Sequence, residues 1–163
     1  MENMTVVDAA EMAGPTKEEL GFQLAHLLSD NVTAKFLAHG YHWNVMGPEF
    51  SQMHEFFAGI YGTFDEAIDP IAEYLLKNGY DAPYLLTDFT EITCIHAERI
   101  EGGDARAMTL SLITIAETLK VEAVKLFDIA DELDAQDIAN FAADLLDGYN
   151  KMLWQLKATI NVR

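Results

Sequence analysis

The sequence predicts an all-α protein built as a bundle of four long helices. Apolar residues recur at alternating steps of three and four over four long stretches, as in Leu112, Ile115 and Leu119. A long connection separates the second stretch from the third. No run of alternating apolar and polar residues competes with the helical pattern, so a sheet is not expected.

The first half of the chain predicts two helices joined by a tight turn. The first is expected at about residues 17–45, because Thr16 and Glu19 have the spacing of a capping box at its start. The second is expected at about residues 49–77. Pro70 lies inside it and removes one backbone hydrogen bond, which predicts a kink at this point.

The second half predicts two further long helices after a crossover. The connection spans residues 81–103 and contains a short helix at about 85–93. The third and fourth helices are expected at about 104–134 and 136–160. A connection of this length is too long for a hairpin between neighbouring helices and is typical of a ferritin-like four-helix bundle.

The chain is expected to form one domain with an unusually acidic surface. Residues 1–15 are small, acidic and aperiodic, which predicts a flexible tail before a domain over residues 16–163. The 27 acidic and 10 basic residues give a formal net charge of −17. Because such a surface repels DNA phosphates and anionic membranes and attracts cations, the composition disfavours DNA binding.

We expect neither export nor membrane insertion of this chain. No apolar run approaches the ~20 residues of a membrane span. The first fourteen residues have no basic residue and no long apolar segment, which argues against a secretory signal. Cys94 is the only cysteine, so an intrachain disulfide is excluded. We therefore expect a cytoplasmic protein.

Two histidines and two carboxylates are candidate metal ligands. His42, His54, Asp69 and Glu73 form a mixed nitrogen and oxygen set that suits iron or another borderline divalent metal. His54 and Asp69 are fifteen positions apart, which is roughly 22 Å along one helix, so one straight helix cannot hold both on the same ion. Two copies of the helix crossing antiparallel would set His54 against Glu73 of the partner subunit, and Ala58 against the partner's Asp69. The hypothesis is a metal site shared by a dimer.

A longer pattern around these residues resembles one protein family. It consists of His42-Trp43-Asn44, Gly47, Phe50, His54-Glu55, Asp69, Ala72-Glu73 and Trp154. With the twelve-residue step between the histidines and with the crossover, this pattern resembles the Dps family, the miniferritins named as DNA-binding proteins from starved cells. The resemblance covers roughly residues 17–160.

The resemblance implies a function and a division of the site between subunits. Members of the Dps family form dodecameric hollow shells that oxidise ferrous iron, preferably with hydrogen peroxide, and store the ferric product, which protects against oxidative damage. It implies that His42 and His54 come from one subunit and Asp69 and Glu73 from its partner at a ferroxidase centre on each two-fold axis. Glu73 is expected to bridge two irons. Iron is thus the expected metal, with zinc as a substitute.

Three departures from the family pattern bear on this expectation. Ala58 stands where an aspartate usually follows the second histidine by four residues, so one ligand of the second iron is missing. Tyr74 stands where an arginine commonly follows the Ala-Glu pair. The tail has three acids before its first lysine, Lys17, whereas members that bind DNA commonly carry lysines there. We therefore expect no strong DNA binding at physiological salt.

The Ala58 departure leaves two functions open. One is a ferroxidase that removes both electrons in a single centre and so avoids releasing hydroxyl radical. The other is a shell that sequesters metal without oxidising it, because a centre with one metal cannot carry out concerted two-electron chemistry. Asp65 and Glu55 are the candidates to replace the missing ligand.

The roles of several neighbouring residues are open as well. Trp43 and Tyr41 are either electron donors to stray oxidants or interface packing, and His39 is an auxiliary ligand or an interface histidine. In the family the turn between the third and fourth helices lines iron-entry pores, and here it is either such a pore or a solvated turn. Its acids are Asp128, Asp131, Glu132, Asp134 and Asp137.

Overall fold

Five α-helices make up the computed structural model, which describes residues 14–162. They are α1 (Lys17–Asn44), α2 (Phe50–Lys77), α3 (Leu86–Ile92), α4 (Ala105–Glu132) and α5 (Gln136–Thr159), with a 3₁₀ turn at Glu101–Gly103 before α4. The four long helices and the short helix in the crossover lie where the sequence predicts them, so the all-α fold class is confirmed. Of the predicted flexible tail, residues 1–13 lie outside the described part of the chain.

The ends of the helices follow from local sequence. The Thr16 backbone N–H donates to the Glu19 carboxylate at 2.6 Å, and the Glu19 N–H donates to the Thr16 hydroxyl at 3.2 Å, so the capping box is present. Asp104 caps α4 by accepting the Ala107 N–H at 3.0 Å. The second helix continues through Pro70 as one element.

The helices pack as two antiparallel pairs around one core. The first pair is α1 with α2 and the second is α4 with α5, while α1 also contacts α4 and the short α3 lies against α1. Side chains from all four long helices are fully buried between them, and each contributes roughly 1.5–3 kcal/mol of burial free energy. The largest of these include Leu24, Phe57, Phe64, Leu112, Leu119 and Tyr149. None of the described helices is long and apolar enough to cross a membrane.

A buried carboxylate fixes the path of the crossover. Asp30, which is fully buried in α1, accepts the Thr93 hydroxyl at 2.7 Å and the Cys94 backbone N–H at 2.9 Å. The Cys94 thiol donates to the other oxygen of Asp30 at 3.0 Å. Partial burial of the sulfur, together with this hydrogen bond, raises the pKa of Cys94 to about 12. The thiol therefore stays protonated at neutral pH and remains a donor to Asp30.

Candidate metal centre

His42 and His54 lie side by side where α1 ends and α2 begins. Their imidazole rings stack with centroids 3.7 Å apart and planes inclined by 21°. His42 belongs to the last turn of α1 and His54 to the beginning of α2, so the short turn between these helices brings them together. Both side chains are half-buried. One subunit thus supplies a close pair of nitrogen ligands.

Each imidazole is oriented by the backbone of the other histidine. His42 Nδ1 lies 2.6 Å from the His54 carbonyl oxygen, and His54 Nδ1 lies 2.7 Å from the His42 carbonyl oxygen. Because a carbonyl oxygen only accepts, each Nδ1 must carry a proton and donate it. A neutral imidazole has one N–H, so the lone pair of each Nε2 is left for a metal ion. A hydrogen bond from Nδ1 to a carbonyl is also the usual way in which proteins fix the tautomer of a metal-binding histidine.

The turn between α1 and α2, which brings the two histidines together, is held by the 3₁₀ turn that precedes α4. The Met46 N–H donates to the Gly103 carbonyl oxygen at 2.9 Å. Gly103 has a φ of +65°, and a Cβ on it would lie 2.6 Å from the Asn44 carbonyl oxygen. Only glycine fits both the conformation and the space, so a residue far along the chain supports the geometry of the histidine pair.

Asp69 and Glu73 lie further along α2, away from the histidines of the same subunit. Both are exposed, and the Glu73 carboxylate lies 3.6 Å from the Lys77 ammonium. Within residues 14–162 no group of three His, Cys, Asp or Glu side chains is placed to hold a metal ion. The structure therefore brings together two of the four predicted ligands and leaves the two carboxylates further along α2, apart from the histidines.

Neither residue considered as a replacement for the missing ligand at Ala58 is placed with the histidines. The Asp65 carboxylate forms an ion pair with Lys35 at 2.6 Å. Glu55 lines a groove between α2 and α5 together with Lys151. Ala58 itself is half-buried, one helical turn after His54.

Tyr74 packs against α5 and does not approach the histidines. Its ring lies against Phe141 with centroids 4.7 Å apart, and its hydroxyl donates to the Asp137 carbonyl oxygen at 3.4 Å. The Lys77 ammonium lies 4.5 Å from the centre of the same ring. The side chain that stands in place of the family's arginine thus serves helix packing.

The aromatic residues near the histidines divide into two groups. Tyr41 is buried and its hydroxyl shares a hydrogen bond of 2.8 Å with Ser111, so it belongs to the core. His39 lies between two rings, at 4.2 Å from Trp43 and 4.2 Å from Tyr61. Sequence reasoning missed Tyr61, although its position seven residues after His54 places both on the same face of α2.

Glu122, to which the sequence assigned no role, lies on the face of α4 that is directed toward the core. Its carboxylate accepts Gln23 Nε2 at 2.8 Å and Lys125 Nζ at 2.7 Å. Burial acts to raise the pKa of Glu122, but these hydrogen bonds outweigh it and leave the pKa below the usual value. The charge is satisfied locally, so Glu122 links α1 to α4.

The predicted acidic cluster surrounds the turn between α4 and α5. All five of its side chains are exposed, which is compatible with either a pore lining or a solvated turn. They are Asp128, Asp131, Glu132, Asp134 and Asp137.

Comparison with known proteins shows which protein family the chain resembles. The sequence model of the ferritin-like domain matches residues 22–162, which is most of the chain. DNA protection during starvation protein 2 of Bacillus anthracis is 30% identical over 123 residues, covering 76% of this chain and 84% of that protein. The DNA protection during starvation protein of Brevibacillus brevis is 32% identical over 120 residues, covering 74% and 80%.

A solved structure agrees with the sequence relatives. The crystal structure of a Dps protein from Bacillus brevis superposes with a TM-score of 0.82 at 28% identity, covering 88% of this chain and 96% of that one. The chain therefore belongs to the Dps family of ferritin-like proteins.

Proposed function

We propose that this chain is the subunit of a miniferritin that oxidises ferrous iron with hydrogen peroxide and stores the ferric product. The observation that carries the proposal is the pair of His42 and His54, whose two Nε2 lone pairs are left free by the hydrogen bonds at Nδ1. Neutral imidazole is a good ligand for divalent iron. Membership of the Dps family supports iron as the substrate.

In the proposed assembly each centre joins two subunits of a homo-dodecamer. His42 and His54 of one subunit face the partner's Asp69 and the partner's Glu73 across a two-fold axis. The exposed position of both carboxylates supports this arrangement. So do Gly59 and Gly62 in the middle of α2, because a Cβ on either would meet no atom of the same subunit within 4 Å. Two α2 helices can therefore approach closely there.

The proposed chemistry assigns a role to each ligand. The two Nε2 atoms bind ferrous iron, and the carboxylates of Asp69 and Glu73 offset its positive charge. Glu73, with two oxygens, is the residue that can bridge a second iron. With two irons bound, hydrogen peroxide takes one electron from each and is reduced to water. The net charge of −17 on each chain raises the local concentration of ferrous iron.

A second candidate function is a shell that sequesters metal without oxidising it. Ala58 favours this candidate, because its methyl group cannot bind the second iron and Asp65 is paired with Lys35. Zinc, which is not redox-active, would be retained by such a shell at the same nitrogen and oxygen ligands.

Protection of DNA, which the names of the relatives mention, is proposed to act here through removal of iron and peroxide. The formal charge of −17 per chain opposes contact with phosphates. A mobility-shift experiment at low salt is expected to show no tight complex with duplex DNA. Tight binding there would contradict this part of the proposal.

The proposal is tested by anaerobic titration of the metal-free protein with ferrous iron, followed by stopped-flow mixing with hydrogen peroxide. In the His42→Ala, His54→Ala double variant both nitrogen ligands are lost. Tight iron binding should therefore disappear, and the rate of oxidation by peroxide should fall to that of free ferrous iron. His96→Ala is the matched control, because His96 is exposed in the crossover, away from the pair.

Three results are informative. Rapid oxidation by the parent protein and the control, lost in the double variant, supports the ferroxidase. Tight iron binding that depends on the histidines but gives no stimulated oxidation supports the sequestering shell. Unchanged binding and oxidation in the double variant would contradict both.

A further inference from the structure

A continuous stack of rings leads away from the two candidate iron ligands. The Tyr61 ring stands edge-on to His42, with centroids 5.4 Å apart and planes inclined by 74°. On its other side Tyr61 stacks on His39 at 4.2 Å and 29°. His39 in turn lies 4.2 Å from the indole of Trp43, which is 62% exposed. The stack therefore runs from the metal-binding face to the surface of the subunit.

Two members of this stack are readily oxidised, and their placement differs. Tyr61 is half-buried and its ring contacts a ligand of the proposed centre directly. The indole of Trp43 does not contact that centre directly: among the described rings it is paired with His39, whose own ring lies 5.9 Å from that of His42. Tyr41, the other nearby phenol, is hydrogen-bonded to Ser111 in the core. By contact, Tyr61 is the residue placed to exchange an electron with iron bound at His42.

We propose that Tyr61 supplies the second electron when the centre holds a single iron, a role that rests on the proposed function. Hydrogen peroxide then accepts one electron from ferrous iron and one from Tyr61, and its O–O bond breaks. Both oxygens leave as water, taking up the phenolic proton and one proton from solvent. The iron becomes ferric and Tyr61 becomes a neutral tyrosyl radical. No hydroxyl radical is released.

Ala58 is the reason that the centre requires a second electron donor. A centre that lacks one ligand of its second iron spends part of its time with one iron bound. A single ferrous ion gives peroxide one electron, and the remaining oxygen would leave as hydroxyl radical unless another reductant is in contact. The edge of Tyr61 against His42 places a reductant there.

The test uses the assembled protein loaded anaerobically with one ferrous ion per centre and then mixed with peroxide. Freeze-quench electron paramagnetic resonance measures protein radicals, and a spin trap measures released hydroxyl radical. Tyr61→Phe keeps the ring and its stacking but removes the oxidisable phenol. Tyr84→Phe is the matched control, because Tyr84 is 84% exposed in the crossover, outside the stack.

In the parent protein and the control, a tyrosyl signal should form as the iron is oxidised, with little trapped hydroxyl radical. In Tyr61→Phe the tyrosyl signal should be lost and the amount of trapped hydroxyl radical should rise severalfold. The rate at which ferrous iron is oxidised to ferric iron should not change. An unchanged yield of trapped radical in Tyr61→Phe, or a signal from tryptophan alone in the parent, would overturn the role of Tyr61.

Failure of the iron function itself would look different. In that case the parent protein would not accelerate the oxidation of iron by peroxide, whatever stands at position 61. If iron is oxidised rapidly with no protein radical at one iron per centre, the ferroxidase stands and the role of Tyr61 is wrong.

Discussion

At position 58 a methyl group stands one helical turn from His54, where the proposed centre needs a carboxylate. The two acids considered as replacements are engaged elsewhere in the subunit, since Asp65 is paired with Lys35 and Glu55 lines the groove beside α5. The reactivity of the centre is therefore expected to depend on the missing carboxylate at position 58 and on the phenol of Tyr61.

Ala58→Asp should restore the second iron. A carboxylate one turn from His54 adds a charged oxygen ligand, and even changes outside the ligand shell alter metal affinity by roughly 10–100-fold. We expect the affinity for the second iron to rise at least about tenfold, the anaerobic stoichiometry to move from one toward two irons per centre, and the tyrosyl signal to decline. Ala58→Asn is the control for size without charge. An unchanged stoichiometry in Ala58→Asp would show that position 58 does not face the second iron.

Individual site residues could be predicted from the sequence only where they belong to a recognisable sequence motif. His42 and His54 belong to such a pattern, and the structure places them together. Their tautomers could not be predicted, because they depend on which backbone carbonyls face each Nδ1. Tyr61 lies on the same face of α2 as His54, but no sequence pattern identifies it as a site residue, since its neighbours His39 and Trp43 come from a different helix.

The helices themselves were largely predictable, and the contacts between them were not. Thr16 and Glu19 define the start of α1 by local hydrogen bonds that sequence spacing reveals. At Pro70 the helix continues as one element, because the burial of Ile71 and Leu75 on the same helix offsets the roughly 3 kcal/mol cost of an internal proline. The path of the crossover depends on Asp30 meeting Cys94, a long-range contact that no local pattern signals.

Gly103→Ala tests the support of the turn between α1 and α2. A Cβ there meets the Asn44 carbonyl oxygen and forces a strained positive φ, so we expect a loss of about 1–3 kcal/mol of unfolding free energy. Metal affinity should fall with it, because the turn positions His42 and His54. Denaturant unfolding of the metal-free protein measures the first effect.

Gly148→Ala provides the matched control for this substitution. Gly148 lies inside α5, and a Cβ on it meets nothing within 4 Å, so alanine should stabilise the helix by up to about 1 kcal/mol. Equal effects of the two substitutions would show that the contact between Gly103 and Asn44 is not important for stability.

In the proposed function the metal centre belongs to the assembly and not to one subunit. Two of the proposed ligands lie at the junction of α1 and α2, and the other two lie about 22 Å (Asp69) and about 28 Å (Glu73) from His54 along α2. No complete ligand group forms within residues 14–162. The sequence could suggest this because helical rise converts spacing into distance. It could not supply the interface, because the surfaces that meet there carry no local pattern of their own.

The most direct test of the shared centre is complementation between two inactive subunits. One carries His42→Ala with His54→Ala, and the other carries Asp69→Ala with Glu73→Ala. Each should assemble alone without peroxide-driven oxidation of iron. When the two are refolded together, a mixed two-fold interface contains one complete centre, so about a quarter of the wild-type centres should return if subunits mix at random. Mixed assemblies, verified by mass, that stay as inactive as either parent would contradict a centre built from two subunits.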